Sequence, residues 1–374
     1  MITQFTTCVA LWRSVFPDSV WPAVDTLMQI RSPSKRLLWM AACALVAAPG
    51  CLGKKTGAAP GVQLVPDDNA KAPTDNPFVG AKYWIDPDNV PKGLARRWRS
   101  DRPDDAALMD KLAAQPSAMW VGDWVPEVEG WVMRQTRKHA RGGFLPVFVA
   151  YNIPKRDCGQ YSKGGADAAP AYKDWIAKFA RGIGNRKAVV ILEPDALPLM
   201  DKCLDANDQK ERLALIRWAV GVFAGLGNTY VYLDAGHSDW VPADEMAKRL
   251  MQAGVDHATG FALNVSNYKS NEDLIAFGSK ISGATGGKPF IIDTSRNGNG
   301  PPEATGDTEA SWCNPRGRAI GSSPTTETGN PLVHAFFWIK KPGESDGECN
   351  GGPKAGQWWT EIALELAKGP AAKP

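Results

Sequence analysis

The chain has 374 residues, 44% of them hydrophobic and 22% charged, which is typical of a globular protein with one large core. A formal net charge of +3, without any Lys/Arg run, gives no support to a nucleic-acid partner, and none is predicted.

The N-terminal segment has the pattern of a bacterial export leader. Basic residues at 31, 35 and 36 precede an apolar run at 37–48, and Cys51 follows a Pro-Gly pair. The run is short for a membrane span but suits a secretory peptide. We therefore expect residues 1–51 to be a leader, with Met28 as the alternative start, and the protein to be secreted or attached to the outer surface. Cys51 is a candidate for a lipid anchor, although the preceding Pro49 fits that pattern poorly.

Residues 52–75 are rich in Gly, Ala, Pro, Lys and Asp without a hydrophobic period, which predicts a flexible linker. A single catalytic domain is expected over residues 76–370. Its apolar segments alternate with amphipathic helical ones, as in parallel strands joined by crossover helices. Strands are predicted at 118–121, 144–151, 188–192, 229–233, 260–264, 289–292 and 335–339. Helices are predicted at 170–183, 209–226, 243–252, 271–281 and 356–367.

These elements predict an α/β fold, a distorted parallel barrel of seven strands that is irregular or incompletely closed. Four of the strands run into an aspartate near their carboxyl ends: Asp157, Asp195, Asp234 and Asp293. Catalytic groups of α/β barrels collect at that end. We therefore expect one acidic site on one face of the barrel.

Cysteine and histidine usage bears on cross-links and metals. Four cysteines fall in the predicted domain, which favours two disulfides in an exported protein, and the residues alone leave all three pairings open. No cysteine pair has the close spacing of a zinc site, and the chain has only 4 histidines. Neither a metal nor any other cofactor is predicted.

An acidic barrel mouth without metal or nucleotide motifs suits cleavage of glycosidic bonds. That reaction needs one carboxylic acid that stays protonated, and charge that stabilises an oxocarbenium-like transition state. Asp195 follows an apolar strand and Pro194, so burial should raise its pKa, and a nearby carboxylate such as Asp157 should raise it further. The alternative for Asp195 alone is a helix N-cap. The 15 tryptophans suit stacking on sugar rings, with core packing as the alternative for any one of them.

Six ordered motifs carry a resemblance to a known family. They are Tyr151-Asn-Ile-Pro-Lys-Arg-Asp-Cys-Gly159, Leu192-Glu-Pro-Asp-Ala-Leu197, Tyr232-Leu-Asp-Ala-Gly-His237, Asn264-Val-Ser-Asn-Tyr268, Ile292-Asp-Thr-Ser-Arg-Asn-Gly-Asn-Gly300 and Trp338-Ile-Lys-Lys-Pro-Gly-Glu-Ser-Asp-Gly347. Over about residues 76–370 the chain resembles glycoside hydrolase family 6, the cellulase family of inverting endoglucanases and cellobiohydrolases. The resemblance implies a distorted seven-stranded barrel, in agreement with the strand count.

The resemblance also implies roles for individual residues. Asp195 matches the general acid, Asp157 the aspartate that raises the pKa of the acid and orders water, and Asp346 the disputed catalytic base. Residues implied in substrate binding are Trp120, Tyr151, Asp234, His237, Trp240, Asn264, Trp312, Lys340 and Glu344. Surface or supporting hydrogen bonds are the alternative for His237, Lys340 and Glu344. Internal packing is expected for Trp124, Trp175, Trp218 and Trp338.

Two further implications concern loops. The family places a serine on the loop after Asp157; ungapped spacing puts Lys163 there, and Ser162 carries the hydroxyl. The implied disulfides are Cys158–Cys203 and Cys313–Cys349.

The short loops that follow Asp157 and Asp346 favour an open groove. The predicted function is therefore that of a monomeric endo-β-1,4-glucanase, whose partner is a β-1,4-glucan, rather than a cellobiohydrolase. A non-catalytic glucan-binding protein is the rival class, disfavoured because all matched acids are present, and Asp195→Ala separates the two. A metal-dependent barrel hydrolase is disfavoured by the scarcity of histidine.

Overall fold

Seven parallel strands form one curled sheet in sequence order, β1 to β7, in a computed structural model that describes residues 66–67, 69–303 and 312–369. The strands are β1 (Met119–Val121), β2 (Val147–Ala150), β3 (Ala188–Leu192), β4 (Thr229–Asp234), β5 (Gly260–Leu263), β6 (Phe290–Asp293) and β7 (Val333–Phe337). The predicted seven-stranded, distorted α/β barrel is confirmed. The predicted leader, Cys51 and the first part of the linker lie outside the described residues.

Helices cover the outside of the sheet. In the described part of the chain they are α1 (Val90–Trp98), α2 (Pro103–Ala113), α3 (Val128–Gly142), α4 (Ala169–Ile183), α5 (Met200–Cys203), α6 (Ala206–Ala224), α7 (Ala243–Gln252), α8 (Asn271–Ala284) and α9 (Thr360–Lys368). The five predicted helices correspond to α4 and α6–α9, within a few residues at each end. None of these described helices is long and apolar enough to cross a membrane.

Strands β2 to β7 are buried on both faces, which explains their mostly apolar sequences, whereas Met119 and Trp120 of β1 are partly exposed. Along β2, Val147 and Val149 pack into the barrel interior, whereas Phe148 and Ala150 pack against the surrounding helices. The prediction placed β7 two residues late because His334 interrupts the apolar run. His334 is nevertheless buried, and its Nδ1 lies 2.8 Å from the hydroxyl of Tyr232 inside the barrel.

The sheet is open between β1 and β7, as no ladder pairs these two strands in the described structure. Two isolated hydrogen bonds join the two edges. The amide of Ala118 donates to the carbonyl of Trp338 (3.0 Å), and Trp120 Nε1 donates to the carbonyl of Ile339 (2.9 Å). The carboxyl ends of β1 and β7 therefore meet at the same face as those of the other strands.

The last part of the predicted linker packs on the domain instead of extending from it. Ala72 is 3% exposed, and its amide donates to the carbonyl of His257 (2.8 Å). Asp75 accepts a bond from the Tyr230 hydroxyl (2.9 Å). The folded domain thus begins before residue 76, because short polar segments can be held by contacts that composition does not reveal.

Candidate active site

Asp195 lies just beyond β3, next to Asp234, which is the last residue of β4. Asp234 is 1% exposed, and its Oδ2 accepts bonds from the amides of Asp195 (2.9 Å) and Gly236 (3.2 Å). The hydroxyl of Tyr151, just past β2, lies 3.4 Å from Asp195 Oδ2. Asp195 has φ +68°, a left-handed conformation that costs energy for a non-glycine residue and is concentrated at functional sites.

The surroundings of this pair disfavour charge. Burial, the neighbouring Asp234 and then Asp157 raise the pKa of Asp195 well above its ordinary value. Burial also raises the pKa of Asp234 to about 7. Two buried carboxyl groups so close together cannot both ionise easily, so the pair holds a proton at mildly acidic pH. The predicted rise in the pKa of Asp195 therefore agrees with the geometry.

Asp157 occupies a strained loop beside this pair. Lys155, Asp157 and Cys158 all have positive φ. Burial raises the pKa of Asp157, whereas the bond that its Oδ2 accepts from the amide of Ser162 (2.7 Å) and the charge of Arg156 oppose that rise. Ser162 thus holds Asp157 through its backbone amide, and the side chain of Lys163 is exposed. Arg156 also holds the loop, because its Nε donates to the carbonyl of Ser162 (2.8 Å) and its Nη2 to that of Lys163 (3.2 Å).

Asp346 lies among cations and donors supplied by other strand ends. Its Oδ2 accepts bonds from Arg296 Nη1 (2.9 Å), the Tyr268 hydroxyl (3.1 Å) and the amide of Asn314 (3.1 Å). Lys340 Nζ lies 3.6 Å from Oδ1. Burial alone would raise the pKa of Asp346, but Arg296, Lys340 and these bonds reverse that effect and lower it. Asp346 is therefore ionised where Asp195 is still protonated.

The predicted tryptophan platforms have different surroundings. Trp120 meets the ring of Tyr151 edge-on at 5.3 Å, and Trp240 lies 5.1 Å from the ring of His237. Trp312 is exposed and lies 6.4 Å from the ring of Tyr161. Each is partly or largely exposed, so each retains surface for a ligand.

Among the tryptophans expected to pack internally, Trp338 is buried, but Trp124 is 51% exposed. The expectation for Trp124 is therefore wrong. The guanidinium of Arg156 covers its ring at 5.1 Å, and the ring lies 6.5 Å from that of Tyr151, which places Trp124 at the rim of the same site.

Among the other residues predicted to contact substrate, His237 and Glu344 are partly exposed, whereas Asn264 is fully buried. His237 is partly exposed, and burial lowers its pKa to about 4, so it is neutral near pH 6. Glu344 is partly exposed and pairs with Lys341 at 3.4 Å. Asn264, in contrast, is 0% exposed: its Nδ2 donates to the carbonyl of Asp293 (2.8 Å), and its Oδ1 accepts from the amide of Lys269 (3.0 Å). Asn264 holds a loop and has no free surface for a substrate.

Both disulfides form as the resemblance implied. Cys158–Cys203 and Cys313–Cys349 have Cα–Cα distances of 5.6 and 6.2 Å. The first anchors the residue next to Asp157. The second anchors the residue next to Asn314, whose amide binds Asp346. Such cross-links are typical of proteins from oxidising compartments.

A cavity of about 570 Å³ lies between these two cross-linked loops, and Gly159, Gln160, Tyr161, Lys163, Trp312 and Glu348 line it. Tyr161 reaches across to Gly347, where an added Cβ would come within 2.3 Å of the tyrosine Cγ. Gly347 also has φ +155°. Only glycine allows this close approach, so Tyr161 connects the Asp157 loop with the Asp346 loop.

Several residues at the site were not assigned from the sequence. Arg296 and Tyr268 lie within the quoted motifs, but nothing in the motifs revealed that both contact Asp346. Arg212 of α6 is buried and donates to the carbonyls of Pro154 (2.7 Å) and Ala196 (3.0 Å), joining the loops of Asp157 and Asp195. Its helical spacing from the buried Leu215, Ile216 and Ala219 of α6 was the available signal.

Glu193, two residues before Asp195, also joins two segments of the site, as Arg212 does. It is 1% exposed and accepts bonds from the amides of Asn152 (2.9 Å) and Ile153 (3.0 Å), so it ties the end of β3 to the end of β2. Burial raises its pKa to about 7. Within residues 69–303 and 312–369, no group of three or more His, Cys, Asp or Glu side chains is arranged to hold a metal ion.

The chain is similar to known endoglucanases. Endoglucanase A of Cellulomonas fimi is 43% identical over 289 residues, covering 76% of this chain and 61% of that protein. The chain thus spans about three fifths of the length of this relative.

Two solved structures have the same fold. The endoglucanase Cel6 of Mycobacterium tuberculosis, in complex with methyl-cellobiosyl-4-deoxy-4-thio-β-D-cellobioside, matches with a TM-score of 0.73 and 41% identity, covering 78% of this chain and 98% of that one. The catalytic core domain of the cellobiohydrolase Cel6A of Chaetomium thermophilum matches with a TM-score of 0.68 and 26% identity, covering 81% and 100%. Residues 78–370 match the family described as glycosyl hydrolases family 6, so the chain belongs to this family.

Proposed function

We propose that the chain hydrolyses internal β-1,4-glucosidic bonds of cellulose and related glucans with inversion of the anomeric configuration. The observation that supports this most is the contrast between Asp195, whose pKa is raised, and Asp346, whose pKa is lowered, at one face of the barrel. A pair of carboxyl groups in opposite protonation states is what inverting cleavage requires.

The proposed reaction uses the two groups in turn. Asp195 donates its proton to the glycosidic oxygen as the bond to the anomeric carbon breaks, and the leaving sugar departs as an alcohol. A water molecule attacks the opposite face of the ring, and its proton passes to the Asp346 carboxylate. Asp157, through its charge, keeps the pKa of Asp195 high and helps to order the water. Tyr151 contacts Asp195 and lies beside the reacting ring.

The glucan is held by stacking and by polar contacts. Trp120, Trp240 and Trp312 supply flat surfaces for sugar rings. His237, Lys340 and Glu344 bind hydroxyl groups. Asp234 is buried and supports the site by accepting a bond from the amide of Asp195, and the amide of Ser162 holds Asp157 in place. The thio-linked cellobioside in the Mycobacterium relative supports a β-1,4-linked ligand.

Cleavage within the chain is favoured over release from chain ends. The loops that follow Asp157 and Asp346 are short, and the two endoglucanase relatives are 43% and 41% identical, against 26% for the cellobiohydrolase. The test is the viscosity of soluble carboxymethylcellulose against the reducing ends released. Endo attack lowers the viscosity sharply at few cleavages, whereas attack from ends leaves it high.

Stereochemistry gives a second test. NMR of the first products from a β-linked oligosaccharide should show the α-anomer, since water attacks opposite to the leaving group. Early β-anomer would contradict the assignment of an inverting site.

We also propose that the protein is exported, is attached through a lipid on Cys51 and acts as a monomer. The two disulfides support an oxidising compartment. Labelling with a radioactive fatty acid should mark the wild type but not Cys51→Ala, and light scattering should give the mass of one chain.

A further inference from the structure

Asp293 ends β6, yet the proposed reaction gives its carboxyl group no chemical step. It is 0% exposed. Its Oδ1 accepts bonds from the amides of Ser295 (2.9 Å) and Ile339 (3.2 Å), and its Oδ2 accepts from the amides of Ser266 (3.0 Å) and Lys340 (3.0 Å). All four bonds come from backbone N–H groups, so this carboxylate organises backbone.

The four donors belong to the segments that follow three different strands. Ser266 lies beyond β5, Ser295 beyond β6, and Ile339 and Lys340 beyond β7. Ser266 has φ +60°, a conformation that costs a non-glycine residue about 1 kcal/mol or more and needs support from its surroundings. Asp293 therefore fixes the mutual position of three loops at the carboxyl face of the sheet.

Two of these loops carry the cations that face Asp346. The carbonyl of Ser266 accepts a bond from Arg296 Nη2, and Arg296 Nη1 contacts Asp346. Lys340, whose amide Asp293 binds, places its Nζ near the other oxygen of Asp346. Asp293 thus influences the position of both cations that contact Asp346, although it does not contact Asp346 itself.

Other groups among the described residues also bind or face Asp346, and none of them makes a direct bond to Asp293. The Tyr268 hydroxyl and the amide of Asn314 bind Oδ2 directly, and the charge of Asp346 acts on Asp195 from across the site. Arg296 also covers the ring of Tyr268 at 4.4 Å. Tyr268 lies two residues beyond Ser266 on the loop after β5, so an effect of Asp293 on Asp346 should come mainly through Arg296 and Lys340 and, by way of that loop, through Tyr268.

We propose that Asp293 is a positioning residue for the hydrolysis proposed above, on which this inference rests: it sets Arg296 and Lys340 against Asp346 by joining the ends of β5, β6 and β7. A carboxylate is suited to this because its two oxygens accept several N–H donors. An asparagine offers one oxygen, and its NH₂ group would oppose two of the four amides.

The test is the pH profile of kcat/KM for Asp293→Asn on a soluble cello-oligosaccharide. If Arg296 and Lys340 are displaced, they stabilise the Asp346 carboxylate less, so its pKa rises and the acidic limb of the profile moves to higher pH. Displacement by about 1 Å near the reacting groups should lower kcat about 10²-fold, with a smaller change in KM. An acidic limb and kcat like those of the wild type would overturn the proposal.

Asp205→Asn is the matched control, because Asp205 also accepts two backbone amides, from Asn207 and Asp208, but at the start of α6. It should lower thermal stability and leave the pH profile unchanged. If Asp293→Asn does not fold, Asp293→Glu keeps the charge while moving it, and its acidic limb should shift in the same direction; an unshifted limb overturns the proposal.

The double variant Asp293→Asn with Arg296→Lys separates positioning from general support. Residues that act through one chain of contacts are not additive, so the second change should cost less in the background of the first. Additive losses would overturn the proposal. The wild type is assayed first: an inert wild type would contradict the proposed function, whereas an active wild type with unaltered Asp293 variants would contradict only this inference.

Discussion

The acid side, formed by the segments after β2, β3 and β4, differs from the base side, formed by those after β5, β6 and β7. On the acid side Asp157, Asp195 and Asp234 lie close together and are mainly desolvated. On the base side Asp346 is also largely buried but faces Arg296 and Lys340. Burial acts in the same direction on both sides, and the cations decide the outcome.

The placement of Arg156 supports this view. It lies next to Asp157 in sequence, yet its guanidinium pairs with Asp123 (2.9 Å) and binds the carbonyl of Tyr151 (2.8 Å). No ion pair reaches Asp195 or Asp234 in the described part of the chain. A fold can thus produce an acid and a base from the same type of side chain by placing cations against one carboxyl group and keeping them from direct contact with the other.

The largest expected effect is that of Asp195→Asn, which removes the proton donor from the acid side. We expect kcat on cello-oligosaccharides to fall about 10²–10⁴-fold, the usual contribution of a general acid. An aryl cellobioside whose leaving group needs no proton should lose much less. Steady-state rates on both substrates provide the measurement. An equal loss on both would contradict the role of Asp195, with thermal unfolding as the check on folding.

Asp157→Asn should have a smaller effect that is specific to the acid side. The Asp157 charge raises the pKa of Asp195, so its removal should lower that pKa and move the alkaline limb of the kcat/KM profile to lower pH. The acidic limb, set by Asp346, should stay in place. Asp167→Asn, which removes an exposed charge from the same loop, is the control and should move neither limb. A shift of the acidic limb would mean that the two sides are not electrostatically separate.

Much of the architecture was predictable because buried parallel strands appear as apolar runs without alternation. Asp195 was predictable for the same reason, since it follows such a run. Helix α3 was missed because its buried face includes Thr136 and His139, whose polar groups bond to carbonyls: the Thr136 hydroxyl lies 3.0 Å from the carbonyl of Gly182. Polar residues at core positions hide the helical period from the sequence.

The base side was less predictable than the acid side. The pKa of Asp346 depends on Arg296, which is distant in sequence and meets it only because the ends of β6 and β7 adjoin. Arg212 and Asp293 act through backbone groups that every residue possesses, so no residue pattern shows their partners. The resemblance implied the disulfide pairing, which spacing alone had left open.

The two disulfides allow a matched comparison of the sides. They close loops of 45 and 36 residues, so removing either by Cys→Ser pairs should destabilise by about 3–4 kcal/mol in the chain-entropy model. Denaturant unfolding measures this. Loss of Cys158–Cys203 should affect the alkaline limb, because Asp157 is adjacent, and loss of Cys313–Cys349 the acidic limb, because Asn314 binds Asp346. Shifts of the same limb in both variants would contradict the division of the site into an acid side and a base side.

The smallest effect is expected for His237→Gln, which tests whether His237 on the acid side carries a charge. Burial, and then the charge of Lys269, lower the pKa of His237 to about 4, so the ring is neutral at higher pH. The substitution should therefore leave both limbs of the kcat/KM profile in place and change only KM. If His237 carried charge, its loss would raise the pKa of Asp195 and move the alkaline limb upward.

Stability provides the companion measurement for His237. Its folded pKa lies below the ordinary value of 6.5, so the unfolded chain binds the proton more readily as pH falls from about 6.5 to about 4. His237 thus costs the wild type stability over that interval, and none above it. The variant should lose less Tm than the wild type between neutral pH and about pH 4.5. Parallel losses in the two proteins would mean that the ring keeps its ordinary pKa in the fold, and His237 would then carry a charge on the acid side at mildly acidic pH.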